Sequence, residues 1–151
     1  MSIESSLNFR RVSDTVTTSG TVAADALGEL RANGYDVVVN LMPDDSTYAV
    51  AGEAGIVEGA EVGYVYIPVD FEAPTADDFR RFAAAMDASS GKNVHVHCAA
   101  NYRVSAFYSL YAMRQGWWDA EQADAHIRAI WDPAEYPAWE AFIAAERARL
   151  A

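Results

Sequence analysis

The lone cysteine of this chain, Cys98, lies between a run with strand character, residues 93–97, and a helical pattern that begins at Val104. That order leaves few folds open. A strand that ends at a cysteine, turns tightly and enters a helix gathers loop N–H groups and a positive helix end at one point, beside a sulfur they help to ionise. Such a point accepts an anion. It suits chemistry on phosphate esters or sulfur donors through a covalent cysteine intermediate. Arg103, five residues after Cys98, falls in the first helical turn, where the positive helix end disfavours a cation. An arginine kept there despite that cost implies an anion between the two, because a guanidinium grips phosphate oxygens as a fork.

The chain has 151 residues, 52% of them apolar and 22% charged, and is read as a single globular domain over residues 1–151. One cysteine excludes an internal disulfide and, with only three histidines, makes a poor metal set. No metal and no cofactor are therefore expected. The cysteine count fits a reducing compartment, no run approaches the roughly 20 apolar residues of a membrane helix, and the start carries no apolar signal core, so a cytoplasmic location is expected. A formal charge of −11 repels nucleic acid and anionic membrane. A small anion can still bind, because backbone dipoles act locally and distant charges are screened beyond about 10 Å. The expected partner is a small phosphorylated molecule or a phosphoprotein.

Strand and helix signals alternate. Residues 9–12 read as a short strand and 13–20 as a polar turn. Residues 23–32 read as a helix capped by Thr21, 36–41 as a buried strand around Val37, Val38 and Val39, 47–57 as a weak helix, and 63–69 as a strand. Thr75 caps a helix over 75–88 with Asp77 and Asp78 in its first turn. After the strand at 93–97 come helices over 104–115, 120–131 and 137–150. The pattern implies an α/β fold with a central, mostly parallel sheet of four to five strands flanked by helices. Ligands of such sheets sit beyond the carboxyl ends of the strands. Cys98 and Asp70 both follow strand ends and can share that edge.

His97-Cys98, a short loop, an arginine and a serine resemble the signature of the cysteine-dependent protein phosphatases. The dual-specificity branch of that family also carries an aspartic acid on a loop upstream of its cysteine, and Asp70 matches that position. Val12-Ser13-Asp14 with Thr17-Thr18-Ser19-Gly20, then Val37-Val38-Val39-Asn40-Leu41, then Ile67-Pro68-Val69-Asp70, look like a bacterial group of phosphatase-like proteins of unassigned function. Relatives of that group occur fused to metallo-hydrolase domains. The resemblance covers roughly residues 8–116 and implies a cysteine phosphatase-like fold.

The loop departs from the family pattern, which places the arginine six residues after the cysteine and a serine or threonine seven after it. Two alignments fit. In one, Ser105 keeps the hydroxyl place, Val104 replaces the arginine and Asn101 takes the usual glycine place, tolerated because Asn visits left-handed backbone readily. In the other, Arg103 keeps its role and the loop is one residue shorter, a length similar to that of the rhodanese sulfurtransferases.

The resemblance implies Cys98 as nucleophile, Arg103 as phosphate clamp and Asp70 as general acid, with Glu72 as alternate. Asp70 would need burial or a nearby carboxylate to hold its proton. Ala99, Ala100, Asn101, Tyr102, Arg103, Val104 and Ser105 would form the phosphate cradle, and Ser105 would stabilise the departing thiolate. His97 is read as a supporting group that hydrogen-bonds the loop backbone, and His95 as a packing residue. The aromatic residues from Phe107 onward are read as core, with Tyr136 and Trp139 covering the sheet end. The expected activity is hydrolysis of a phosphomonoester through a phosphocysteine. The alternatives are a weak or inactive phosphate- or phosphoprotein-binding module and a rhodanese-like sulfurtransferase.

Overall fold

The computed structural model describes residues 2–150, so Met1 and Ala151 lie outside the described residues. Within these, β1 (Arg10–Arg11), β2 (Val16–Ser19), β3 (Val37–Asn40), β4 (Gly63–Tyr66) and β5 (Val94–His97) form one sheet in the order β1-β2-β5-β3-β4. Only the β1–β2 pairing is antiparallel. The helices are α1 (Ala24–Gly28), α2 (Glu53–Gly59), α3 (Ala76–Ala88), α4 (Tyr102–Arg114), α5 (Ala120–Arg128) and α6 (Pro137–Leu150).

Period-two alternation sorts the strand residues onto two faces. Val37 and Val39 of β3 join Val94 and Val96 of β5 in a core with Phe82, Phe107, Leu110 and Trp139 from α3, α4 and α6. Val38 turns the other way, onto Val22, Leu27, Leu30 and Val57 beside α1 and α2. The inner parallel strands β3 and β5 are thus covered on both sides, while the edge strand β4 stays partly exposed. α3 starts at a reciprocal cap, Asp78 N–H to Thr75 Oγ1 at 3.0 Å and Thr75 N–H to Asp78 Oδ2 at 3.2 Å, worth about 1 kcal/mol. No helix is long and apolar enough to cross a membrane among the described residues.

Two local expectations are corrected. The polar segment read as a turn over 13–20 contains β2, which pairs in parallel with β5 and is wholly buried. Its hydroxyls find buried partners. Thr17 Oγ1 lies 2.7 Å from both the Tyr35 hydroxyl and His95 Nδ1, and Ser19 Oγ lies 2.8 Å from His95 Nε2. Polar residues tolerate a central strand when their hydrogen bonds are met there. Thr21 does not cap α1: the cap position is Ala23, which makes no side-chain cap bond.

His95 is correspondingly more than packing. Ser19 Oγ donates to the Gly20 carbonyl at 2.7 Å, so it accepts from His95 Nε2–H, which leaves Nδ1 to accept from Thr17. The result is a directed chain from Tyr35 through a neutral imidazole to Gly20, and burial pushes the His95 pKa well below the usual histidine value.

Candidate active site

The carboxyl edge of the parallel strands opens into a cavity of about 650 Å³. Its floor is Cys98, just past β5. The β5–α4 loop adds Ala99, Ala100, Tyr102 and Arg103, the β4–α3 loop adds Asp70 and Phe71, and the β3–α2 loop and Tyr136 complete the rim. Residues far apart in sequence meet there because parallel strands deliver all their following loops to one edge.

The loop after Cys98 has a consistent polarity. Its carbonyls are all occupied by neighbours outside the cavity: Cys98 O accepts from His97 Nδ1 at 3.3 Å, Ala99 O from Thr21 N–H at 3.0 Å, and Ala100 O from Asn8 Nδ2 at 2.9 Å. Asn101 O and Tyr102 O accept from Ser105, through its N–H and its hydroxyl. The backbone N–H groups of Ala99, Ala100, Tyr102 and Arg103 donate to no protein group among the described residues. Four donors beside one sulfur, at the start of a 13-residue helix, are an arrangement able to accept an anion.

Asn101 enables the turn. It sits at the α4 cap with φ 69°, a left-handed conformation that Asn adopts more easily than most residues. Its side chain points away from the cavity, donating from Nδ2 to Asn8 O at 2.8 Å and Thr18 Oγ1 at 3.0 Å. Asn8 and Asn101 thus hold each other's segment, and Gly20 lies so close that a Cβ there would be 2.4 Å from Ala99 O. Sequence reading missed Asn8, since nothing local marks it. Gly20 stood in the quoted motif without a role.

Arg103 is only 7% exposed. Nη1 donates to the Val69 carbonyl at 2.9 Å and the guanidinium lies over the Phe71 ring at 5.7 Å. Nε is buried with no partner, and Nη2 makes no protein hydrogen bond among the described residues. The Nε–Nη2 edge, the one that grips an oxyanion in two places, is therefore free. Phe71 is itself held under a roof of Trp131, Tyr136 and Trp139, with Trp139 Nε1 donating to Phe71 O at 2.7 Å.

Besides Asn101, two expected cradle residues lie elsewhere. Val104 is fully buried in the core beside Phe107 and does not line the cavity. Ser105 is also fully buried: its hydroxyl donates to Tyr102 O and accepts from Trp131 Nε1, each at 2.9 Å. Both follow from the helix starting at Tyr102, two residues earlier than the apolar pattern suggests, which turns positions 104 and 105 inward. Asp70 reaches the cavity but is exposed, and its Oδ1 accepts from Glu72 N–H at 2.9 Å. The burial that was to prepare it as an acid is absent.

His97 faces the α2 side of the sheet. Its Nε2 lies 2.5 Å from Glu53 Oε2, and both residues are buried. Glu53 went unnoticed in sequence because it sits in a segment whose two glycines weaken the helix signal. Gly52 adopts φ 70° and α2 starts directly after it, at Glu53.

No curated protein matches the sequence. The family profile for the beta-lactamase hydrolase-like protein, phosphatase-like domain, matches residues 8–115. A Shewanella putrefaciens protein of the DUF442 group, described as a candidate phosphatase, is 38% identical across 95% of this chain and 90% of its own, with a TM-score of 0.88. A second crystal structure of that description gives 37% identity, coverage of 99% and 97%, and a TM-score of 0.89. TpbA of P. aeruginosa, in complex with pTyr, shares the fold at 18% identity, covering 95% of this chain and 90% of its own, with a TM-score of 0.72. A profile match over most of the length and a relative of the same group at 38% identity give one conclusion: the chain belongs to the beta-lactamase hydrolase-like protein, phosphatase-like domain family.

Proposed function

We propose that the chain hydrolyses a small phosphomonoester through Cys98. The observation that carries the reading is the pairing of the unsatisfied loop N–H groups with the free Nε–Nη2 edge of Arg103, both at the cavity floor beside the sulfur. Cys98 Sγ attacks phosphorus, the bond to the leaving oxygen breaks, and Asp70 gives that oxygen a proton. Water then attacks phosphorus, returns a proton to the Asp70 carboxylate and releases orthophosphate and the thiolate. The N–H groups and Arg103 hold the three equatorial oxygens where charge concentrates. Aromatic side chains at the mouth, Phe71, Tyr102 and Tyr136, favour an aryl leaving group, and TpbA of the same fold takes pTyr. The strongly acidic surface favours a small ligand over a polyanion. The same acidity and the lack of a membrane-spanning helix among the described residues support action on a ligand in aqueous solution.

One observation favours a second reading. Asp70 is exposed and already engaged with Glu72 N–H, which suits an anion-binding module with little turnover. Turnover of an aryl phosphate separates the two. Activity lost in Cys98→Ser, together with a phosphocysteine trapped by rapid acid quench, supports hydrolysis. Tungstate binding without turnover supports the binding module. Cyanide-trapped sulfur transfer from thiosulfate, with no phosphatase activity, would replace both with persulfide chemistry.

A further inference from the structure

We infer that Glu53 is a positioning residue for the reactive cysteine, acting through His97; the inference rests on Cys98 being the reactive sulfur. Glu53 is 4% exposed, and its Oε1 has no hydrogen-bond partner among the described residues. A carboxyl oxygen in that state carries a desolvation cost that no bond of its own offsets. What the carboxyl group gains is a single contact, Oε2 to His97 Nε2 at 2.5 Å.

That contact fixes the other side of the ring. The His97 Nδ1 partner is the Cys98 carbonyl, which can only accept, so Nδ1 must carry a hydrogen. A neutral histidine with no partner at Nε2 is free to move its proton there and lose the Nδ1 bond. Glu53 opposes this by holding a proton between the two residues, either on its own carboxyl and donated to Nε2 or on the ring as an imidazolium beside the carboxylate; in both states the Nδ1 hydrogen stays in place. His95 does not compete, since its ring is 6.4 Å away and both its nitrogens are held by Thr17 and Ser19. The Cys98 carbonyl is thereby kept off the cavity side. It is the first of the loop carbonyls, and their outward direction leaves the N–H groups for an anion. Glu53 acts from α2, on the opposite face of the sheet from the helix that carries Arg103.

The test is Glu53→Met and Glu53→Gln in the full chain, with tungstate as the anion probe and iodoacetamide as the sulfur probe. Met removes the Nε2 partner at similar volume; Gln keeps a hydrogen bond to it. Glu53→Met is expected to weaken tungstate binding by about tenfold, the size of one net hydrogen bond. It should slow alkylation of Cys98 by a similar factor and lower the thermal midpoint, because His97 Nε2 is left buried without its partner. Glu53→Gln is expected to restore both within about threefold. Wild-type tungstate affinity and alkylation rate in a folded Glu53→Met would overturn the inference and leave the Cys98 assignment standing. A wild-type protein that binds no tungstate, with Cys98 no more reactive than free cysteine, would overturn both. Histidine ¹⁵N spectra of the unmodified protein give a readout independent of folding of the variants: a proton on His97 Nδ1 is expected, and a His97 protonated at Nε2 alone would overturn the role of Glu53.

Discussion

Arg103 Nη1 donates to the backbone carbonyl of Val69, 2.9 Å away, and so ties the first turn of α4 to the residue preceding Asp70. The same guanidinium covers Phe71 on the other side of Asp70. One side chain thus joins the cysteine loop to the acid-bearing loop and still keeps the Nε–Nη2 edge for a ligand.

Arg103→Lys should therefore cost both catalysis and stability. A lysine ammonium cannot reproduce the planar fork that grips an oxyanion in two places while a further N–H donates to Val69 O. Turnover of an aryl phosphate should fall by about 2–4 kcal/mol of transition-state stabilisation, and the folded state should lose about 1 kcal/mol with the Val69 bond. Val104→Arg should rescue nothing. Position 104 is sealed in the core, so an arginine there leaves a buried charge unpaired and destabilises by several kcal/mol, roughly 3–5. Parallel kcat and thermal-midpoint measurements check this; a gain of activity in Val104→Arg would refute it.

Gly20→Ala should disturb the cysteine loop from a strand away. The new methyl would sit 2.4 Å from Ala99 O and 2.9 Å from Ala100 Cα, both backbone atoms. Overpacking of this kind costs about 1–3 kcal/mol. Denaturant unfolding should show that loss, and tungstate affinity should drop with it as the cradle shifts. A variant with native stability and affinity would show that the loop yields freely.

Asn101 separates backbone conformation from side-chain contacts. Asn101→Gly keeps the left-handed φ but loses the bonds to Asn8 and Thr18; Asn101→Ala loses both. Ala should be the more destabilising by about 1 kcal/mol, the cost of a Cβ in that region. Unfolding midpoints of the two variants decide the order. Equal midpoints would mean that the turn relaxes out of the left-handed region when the side chain is removed.

Stability should fall as the pH drops below about 6.5, before most carboxylates titrate. Burial holds His95 well below the usual histidine value and takes His126, also near Arg10, down to about 4. Between those folded-state values and the unfolded value, the unfolded chain binds more protons than the native one, so acid favours unfolding. Each histidine contributes a slope of up to about 1.4 kcal/mol per pH unit in that window and nothing above it. The thermal midpoint should be flat above about pH 7 and decline towards pH 5, less steeply in His126→Gln. A midpoint that does not move across this range would contradict the neutral, hydrogen-bonded His95.

The sequence by itself carried the strands with strong apolar runs, Val37–Asn40 and Val94–His97, and the capped helix Ala76–Ala88, because their signals are local: branched apolar residues in a short run, and a threonine three residues before an aspartate. It also carried the neighbourhood of Cys98, Arg103 and Asp70, because parallel strands send their following loops to one edge. Tertiary structure decided the rest. β2 has no local apolar signal beyond Val16; its threonines and serine are strand residues only because His95, Tyr35 and Asn101 meet their hydroxyls inside the fold. Which of residues 103, 104 and 105 faces the cavity depended on where α4 begins, and a shift of two residues rotates a helix by more than half a turn. Glu53 reaches His97 across 44 positions of chain. No periodicity encodes that meeting, because it exists only once α2 has packed against the sheet.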